Sequence, residues 1–145
     1  MEKVAVLGAG SWGLVLSKVV LEAGFEVWAW DYDPERVRTL AAERQDPHRL
    51  PGFRIPQGVR LTPHLEEALS GASWALLVVP SHGFRETLKR AKKHLPRLVL
   101  SATKGLELGT GLTMSQIFKE ECPEHTFAVL SGPTIAREVA QGLPT

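Results

Sequence analysis

Short apolar runs alternate with longer amphipathic stretches along the whole chain. Residues 4–7, 26–30, 59–62, 74–79, 98–102 and 126–130 are compact, β-branched or aromatic-rich runs and predict strands. Between them, residues 14–23, 34–43, 64–69, 84–95, 112–121 and 134–141 carry apolar positions at helical spacing. Boundary residues agree with this reading. Asp33 and Pro34 form an N-cap followed by a first-turn proline, Gly24 is a natural stop for the first helix, and Pro80 ends the apolar run at 74–79. That run is continuous rather than alternating, as in a strand covered on both faces. Strands alternating regularly with helices predict an α/β fold: a doubly wound, mostly parallel sheet with helices on both faces. Only residues 45–58, rich in proline, have no clear period; they read as a functional excursion or as plain surface.

Composition narrows the class without changing it. The chain has 145 residues, 43% hydrophobic and 23% charged, which suits one globular domain spanning 1–145. A formal net charge of +1 gives no global case for nucleic acid or a membrane surface as partner. No apolar run approaches membrane-spanning length, and the amino terminus lacks a signal-like segment, so a cytoplasmic protein without membrane insertion is expected. The one cysteine, Cys122, excludes an internal disulfide framework. The five histidines and Cys122 show no tight ligand spacing, so no metal site is expected.

The chemistry begins at Gly8-Ala9-Gly10-Ser11-Trp12-Gly13, a G-x-G-x-x-G pattern. Alone that pattern is weak, but here it follows a predicted strand and opens a predicted helix inside a βαβ unit. Gly8 allows the tight turn, Gly10 lets a pyrophosphate approach the backbone, and Gly13 lets the helix pack close to the strand. The helix N-terminus then offers free N–H groups and partial positive charge to phosphates. Together these predict a Rossmann-type dinucleotide site. Asp31 ends the second strand, where an acid reaches the adenosine ribose hydroxyls and repels a 2′-phosphate. Asp33 is the rival for that role, and a plain capping role is open to either. Tyr32, Asp33 and Pro34, rather than an arginine, follow Asp31 directly, so NAD is expected in preference to NADP. Pro80, at the end of the fourth strand, lies on the same ligand edge.

Four further segments carry a family resemblance. They are Val78-Val79-Pro80-Ser81-His82, Ser101-Ala102-Thr103-Lys104-Gly105-Leu106-Glu107, Val129-Leu130-Ser131-Gly132-Pro133-Thr134, and Glu138-Val139-Ala140-Gln141-Gly142-Leu143-Pro144-Thr145. With the glycine loop, and with Leu50-Pro51-Gly52 and Ile55-Pro56, the chain resembles bacterial NAD(P)-dependent glycerol-3-phosphate dehydrogenases from end to end. The resemblance implies reversible reduction of dihydroxyacetone phosphate to sn-glycerol 3-phosphate, a step feeding phospholipid synthesis. It implies cofactor contacts from Ser11, Trp12, Lys104 and Ala136, and substrate contacts from Lys104, Gly132 and Thr134; Tyr32, next to Asp31, is also expected at the cofactor. Elementary chemistry agrees for Lys104, which follows a buried strand and brings a compact cation to the ligand edge. It agrees also for residues 132–134, where Pro133 reads as the first residue of a helix and the N–H groups behind it as an anion site.

Two departures limit the resemblance. Many members carry a basic residue near the position of Tyr32, which is absent here. The family's mostly helical C-terminal domain, with the lysine that does acid–base work, is also absent from this sequence, so no catalytic residue is assigned in the chain. The expectation is a cofactor-binding half that turns over little or nothing alone. Rival readings are a related hydroxyacid or ketopantoate-type dehydrogenase domain, or a standalone NAD-binding sensor. A homodimer is compatible with the sequence but not specified by it. Of the remaining features, His82 reads as structural or peripheral, the basic run 85–97 as a solvated helix face, Trp30 as core or a border of the adenine pocket, and Trp74 as core.

Overall fold

The computed structural model describes residues 1–132 and 134–144. In chain order its elements are β1 (Lys3–Leu7), α1 (Ser11–Glu22), β2 (Glu26–Trp30), α2 (Pro34–Glu43), β3 (Val59–Thr62), α3 (Leu65–Leu69), β4 (Ala72–Leu77), α4 (Ser81–Ala91), β5 (Leu98–Ser101), α5 (Met114–Glu121), β6 (Thr126–Val129) and α6 (Ala136–Ala140). The strands form one sheet in the order β3-β2-β1-β4-β5-β6, and every neighbouring pair is parallel. This is the doubly wound dinucleotide-binding order, in which the winding reverses between β1 and β4.

The period-2 alternation of the central strands builds the two layers. On β1, Ala5 and Leu7 point into a core with α3, α4 and α5, where Phe84, Leu88, Ile117 and Phe118 are buried. Val4 and Val6 point to the other side, against Leu14, Val15 and Val20 of α1 and Leu40 of α2. Trp30 is 1% exposed in the first core, and its Nε1 donates to the Pro63 carbonyl at 3.0 Å. Core packing is therefore its role. Trp28, also expected within the sheet, is half-buried between two cations, Lys3 and Arg60, 4.7 and 5.4 Å from its ring.

Several boundaries differ from the sequence expectation, each for a local reason. Helix α4 starts at Ser81 rather than 84, because the extended backbone of Pro80 ends the strand segment and caps the helix at once. Ser81, His82 and Gly83 carry no apolar period and so hid that first turn. Helix α5 starts at Met114 because Thr113 and Gln116 form a reciprocal capping box, which excludes Leu112. Helix α6 starts at Ala136, not at 134: the Thr134 N–H turns back to the Gly132 carbonyl at 3.0 Å. Pro133, expected as the first residue of that helix, lies outside the described residues, and the anion site expected at 132–134 has no helix N-terminus to form it. Strand β4 begins at Ala72, and Trp74 is half-buried, edge-on to Phe25 at 5.7 Å, rather than core.

Residues 45–58 are not plain surface. Gln45 and Arg54 form an antiparallel bridge that closes the segment, while Leu50, Phe53 and Ile55 bury themselves beside α1. Arg44, with a positive φ of 55°, turns its guanidinium under the segment to donate to the Pro56 and Val59 carbonyls. The period was missing from the sequence because the apolar residues are spaced by turns rather than by a regular element.

Candidate functional site

Beyond the last residue of β1, β2, β4, β5 and β6 the backbone ladder continues for one more hydrogen bond. The Asp31 N–H bonds to Thr62, Gly8 to Trp30, Val78 to Leu7, Ala102 to Leu77, and Leu130 to Ser101, at 2.8 to 3.3 Å. Asp31, Gly8, Val78, Ala102 and Leu130 therefore stand in a row along the carboxyl edge of the sheet. Open α/β sheets bind ligands at this edge, above the point where the winding reverses.

That point is filled by the glycine loop, and three of its positions have distinct constraints. Gly8 has a φ of +124°, and a Cβ there would lie 2.8 Å from the Val78 carbonyl carbon. A Cβ on Gly13 would lie 1.7 Å from the Gly8 carbonyl oxygen. These two glycines are thus required by the packing of α1 on β1 and β4. Gly10 differs: a Cβ there meets nothing within 4 Å. The space above Gly10 is open, and it lies at the start of α1. Leu14 is the first residue of that helix to donate back, to Gly10 at 3.0 Å. The preceding N–H groups, at Ser11, Trp12 and Gly13, belong to the first turn and have no intrahelical acceptor. Donors, dipole and vacant volume coincide there, which suits a pyrophosphate.

Asp31 lies at the end of β2 and is 8% exposed. Its Oδ2 accepts the Ala9 N–H at 3.1 Å, and its Oδ1 accepts the Asp33 N–H at 3.2 Å. Each oxygen keeps a further lone pair, so the carboxylate braces the glycine loop and can still accept ribose hydroxyls. Asp33, the rival ribose acid, caps α2 by accepting the Glu35 N–H at 3.0 Å. Tyr32 is 74% exposed at the rim.

Sequence reasoning missed Arg36. No arginine directly follows Asp31, yet the first turn of α2 swings Arg36 back toward the loop. Its Nε lies 4.0 Å from Asp31, and its guanidinium donates to the Ala9 carbonyl and to Asp46 Oδ2, the latter at 2.9 Å. Asp46, 8% exposed, comes from the 45–58 segment and also accepts the Arg49 N–H at 3.3 Å. The Ser11 hydroxyl reaches the Arg49 carbonyl at 3.4 Å. The excursion therefore leans on the cofactor loop. Helical spacing from Asp33 could have flagged Arg36, but nothing in the sequence pairs it with Asp46.

On the other side of the reversal, Lys104 leaves β5 exposed and donates to the Gly132 carbonyl at 2.8 Å. Two of the residues expected at the substrate thus meet. Trp12, Leu16, Ala102, Lys104, Gly132 and Thr134 border one cleft of about 240 Å³, mainly apolar, with Lys104 the one cation among its described lining residues. Ala136, expected near the cofactor, is half-buried against the core that contains α1. Pro80 is exposed at the N-terminus of α4.

The Lys104 segment is held by partners the sequence did not reveal. Thr103 Oγ1 donates to the Val79 carbonyl at 2.6 Å. Arg85 grips Glu107 in bidentate fashion at 2.7 and 2.9 Å, and Glu121 at 2.8 Å. The expectation that residues 85–97 form a solvated basic face therefore fails at Arg85, whose charge is consumed by α5 and the Lys104 segment. The Arg85 guanidinium and the Thr110 hydroxyl hold the Glu107 carboxyl down at about 2. Burial pushes the Cys122 thiol up, so it is a core side chain rather than a nucleophile. Among the described residues no group of three or more His, Cys, Asp or Glu is placed to hold a metal ion, and no helix is long and apolar enough to cross a membrane.

Comparison with known proteins gives a consistent result. The family model described as NAD-dependent glycerol-3-phosphate dehydrogenase N-terminus matches residues 3–145. A glycerol-3-phosphate dehydrogenase [NAD(P)+] from Geobacter sp. (strain M21) is 41% identical over 149 residues, covering 99% of this chain and 44% of that protein. One from Nocardia farcinica is 43% identical, with 99% and 45% covered. Among solved structures, a glycerol-3-phosphate dehydrogenase from Coxiella burnetii superposes with a TM-score of 0.90 at 35% identity, with 99% of this chain and 45% of that chain covered. The chain thus spans less than half the length of the relatives it matches.

Proposed function

The chain belongs to the NAD-dependent glycerol-3-phosphate dehydrogenase N-terminal family, and from that premise we propose that it is the dinucleotide-binding half of an enzyme interconverting dihydroxyacetone phosphate and sn-glycerol 3-phosphate. The observation that carries the proposal is the open space at Gly10, at the start of α1, with Asp31 bonded to the N–H of the adjoining Ala9. Gly10, Ser11, Trp12 and Gly13 would cradle the pyrophosphate through backbone N–H groups, while Gly8, whose own N–H is bonded to the Trp30 carbonyl, makes the turn that brings them there. Asp31 would accept the adenosine ribose hydroxyls, with Tyr32 at the rim and Pro80 along the edge. When bound, the nicotinamide supplies or accepts the hydride. The cleft bordered by Trp12, Lys104, Gly132 and Thr134 is the natural place for the reacting end of a small phosphorylated ketone, and Lys104 is the one cation among its described residues. Ala136, on the same face as α1, would border the cofactor side of that cleft.

NAD is the preferred cofactor in this reading. A carboxylate at Asp31 disfavours a 2′-phosphate, and the charge of Arg36 is engaged elsewhere. No acid or base for the hydride step is assigned within these residues, so turnover requires the part of the relatives' length that the chain does not span. The chain alone therefore acts as a cofactor-binding unit in solution, with no call on nucleic acid or membrane. A related hydroxyacid or ketopantoate-type reductase is not favoured by the family match.

The test has two stages. NADH fluorescence should saturate on titration with the 145-residue chain. NADH oxidation on adding dihydroxyacetone phosphate should appear only when the chain is joined to the remaining length of a relative. Turnover by the chain alone would overturn the placement of the chemistry, and failure to bind NADH would overturn the proposal.

A further inference from the structure

We propose that Asp46 is a cofactor-specificity determinant that acts by holding Arg36 away from the adenosine 2′ position; the proposal rests on the dinucleotide reading above. Arg36 is the cation nearest to Asp31, at 4.0 Å, and so nearest to where the ribose hydroxyls would bind. An arginine in this neighbourhood is the chemistry that accommodates a 2′-phosphate, because its planar fork matches phosphate oxygens. Yet the side chain of Arg36 is only 17% exposed, and its Nε and Nη2 are committed, both to the Ala9 carbonyl and Nη2 also to Asp46 at 2.9 Å. With Asp31 and Asp46 flanking one guanidinium, two carboxylates face one cation, and a 2′-phosphate would enter net negative ground.

The geometry also says why Asp46 can do this. It is buried at the start of the 45–58 segment, which is anchored by the Leu50, Phe53 and Ile55 side chains and closed by the Gln45–Arg54 bridge. Its other oxygen takes the Arg49 N–H at 3.3 Å, and the Leu50 N–H returns to its carbonyl at 2.8 Å. The carboxylate therefore cannot follow Arg36 if the arginine turns outward. Asp46 touches no cofactor group itself; it is a positioning residue.

The test is a pair of titrations, NADH and NADPH, with the 145-residue chain and its variants. Asp46→Asn keeps the shape and the acceptor for Arg49 N–H while removing the charge. It should tighten NADPH by about tenfold, about 1.4 kcal/mol, by freeing a charge-assisted contact to the 2′-phosphate, and leave NADH within about threefold. Adding Arg36→Met to that variant should abolish the gain, which a merely structural role for Asp46 would not require. If the amide variant melts early, Asp46→Ser repeats the experiment with an uncharged hydroxyl. An unchanged NADPH-to-NADH ratio, an equal loss of both cofactors, or a gain that survives loss of Arg36 would each overturn the proposal. A parent chain that binds neither cofactor would overturn the dinucleotide reading itself, and this inference with it.

Discussion

Alanine at Gly10 and alanine at Gly13 should have opposite consequences, although both glycines belong to one motif. At Gly13 the added Cβ would sit 1.7 Å from the Gly8 carbonyl oxygen, a backbone atom that cannot rotate away. Helix α1 must back off β1, which loosens Leu14 and Val15 in the core. Alanine's better helix propensity returns about 1 kcal/mol, but overpacking of this kind costs typically 1–3 kcal/mol and more against backbone. The net effect is loss of stability. At Gly10 the backbone already lies at φ −80° and ψ −167°, which alanine adopts freely, and no atom lies within 4 Å. A weaker N-cap costs up to about 1 kcal/mol, and lower freedom of the unfolded chain offsets about 0.4–1 kcal/mol of it. Stability should be nearly unchanged. Binding should not be, because the methyl occupies the phosphate's approach. Two charge-assisted hydrogen bonds lost there are worth about 3 kcal/mol together, or roughly a hundredfold in NADH affinity. Urea melts and NADH titrations of both variants read this directly. A Gly10→Ala chain that binds NADH like its parent would refute the assignment of that space to phosphate.

Other predictions concern the opposite side of the site. Lys104→Met should leave the melting midpoint close to the parent, since an exposed lysine contributes within about 0.5 kcal/mol, while lowering turnover of a full-length enzyme by roughly a hundredfold if the ammonium faces the reacting carbonyl. Glu107 is depressed from 4.5 to about 2, so its contribution to stability is fully present above pH 4.5 and disappears as pH falls toward 2. Glu107→Gln should flatten that stretch of a pH–melting profile and leave the slope above pH 5 alone; an unaltered acid limb would contradict the Arg85 clamp. Phe118→Ala empties a site 2% exposed and stacked on Phe127 at 4.3 Å. It should cost about 3–5 kcal/mol by urea denaturation, with NADH affinity in the folded fraction preserved.

What could be read from the sequence follows the range of the interactions involved. All six strands were legible because each is a short apolar run between turn residues, and Gly8 to Gly13 because its spacing expresses a local backbone requirement. The doubly wound, parallel architecture followed from alternation and handedness. What could not be read depends on residues far apart in the chain. Arg36 and Asp46 meet only because the 45–58 segment folds back over the glycine loop. Arg85 looked like one of a solvated run until α5 brought Glu121 beside it. The start of α6 lies two residues past the expected one, where the Thr134 N–H bonds to the Gly132 carbonyl, and a backbone hydrogen bond of that kind leaves no mark on composition. The site therefore divides cleanly: its phosphate cradle is written locally, and the bracing of Asp31 and Lys104 is written in tertiary pairs.

The most direct test of the phosphate cradle is an NMR titration of the isotope-labelled chain with NADH. The largest backbone amide shifts should fall on Ala9, Ser11, Trp12 and Gly13 and on Asp31 and Tyr32, saturating together and reversed by excess ADP-ribose. Shifts confined to the opposite edge of the sheet, around Lys3, Glu26 and Gly71, or no saturation at millimolar NADH, would contradict it.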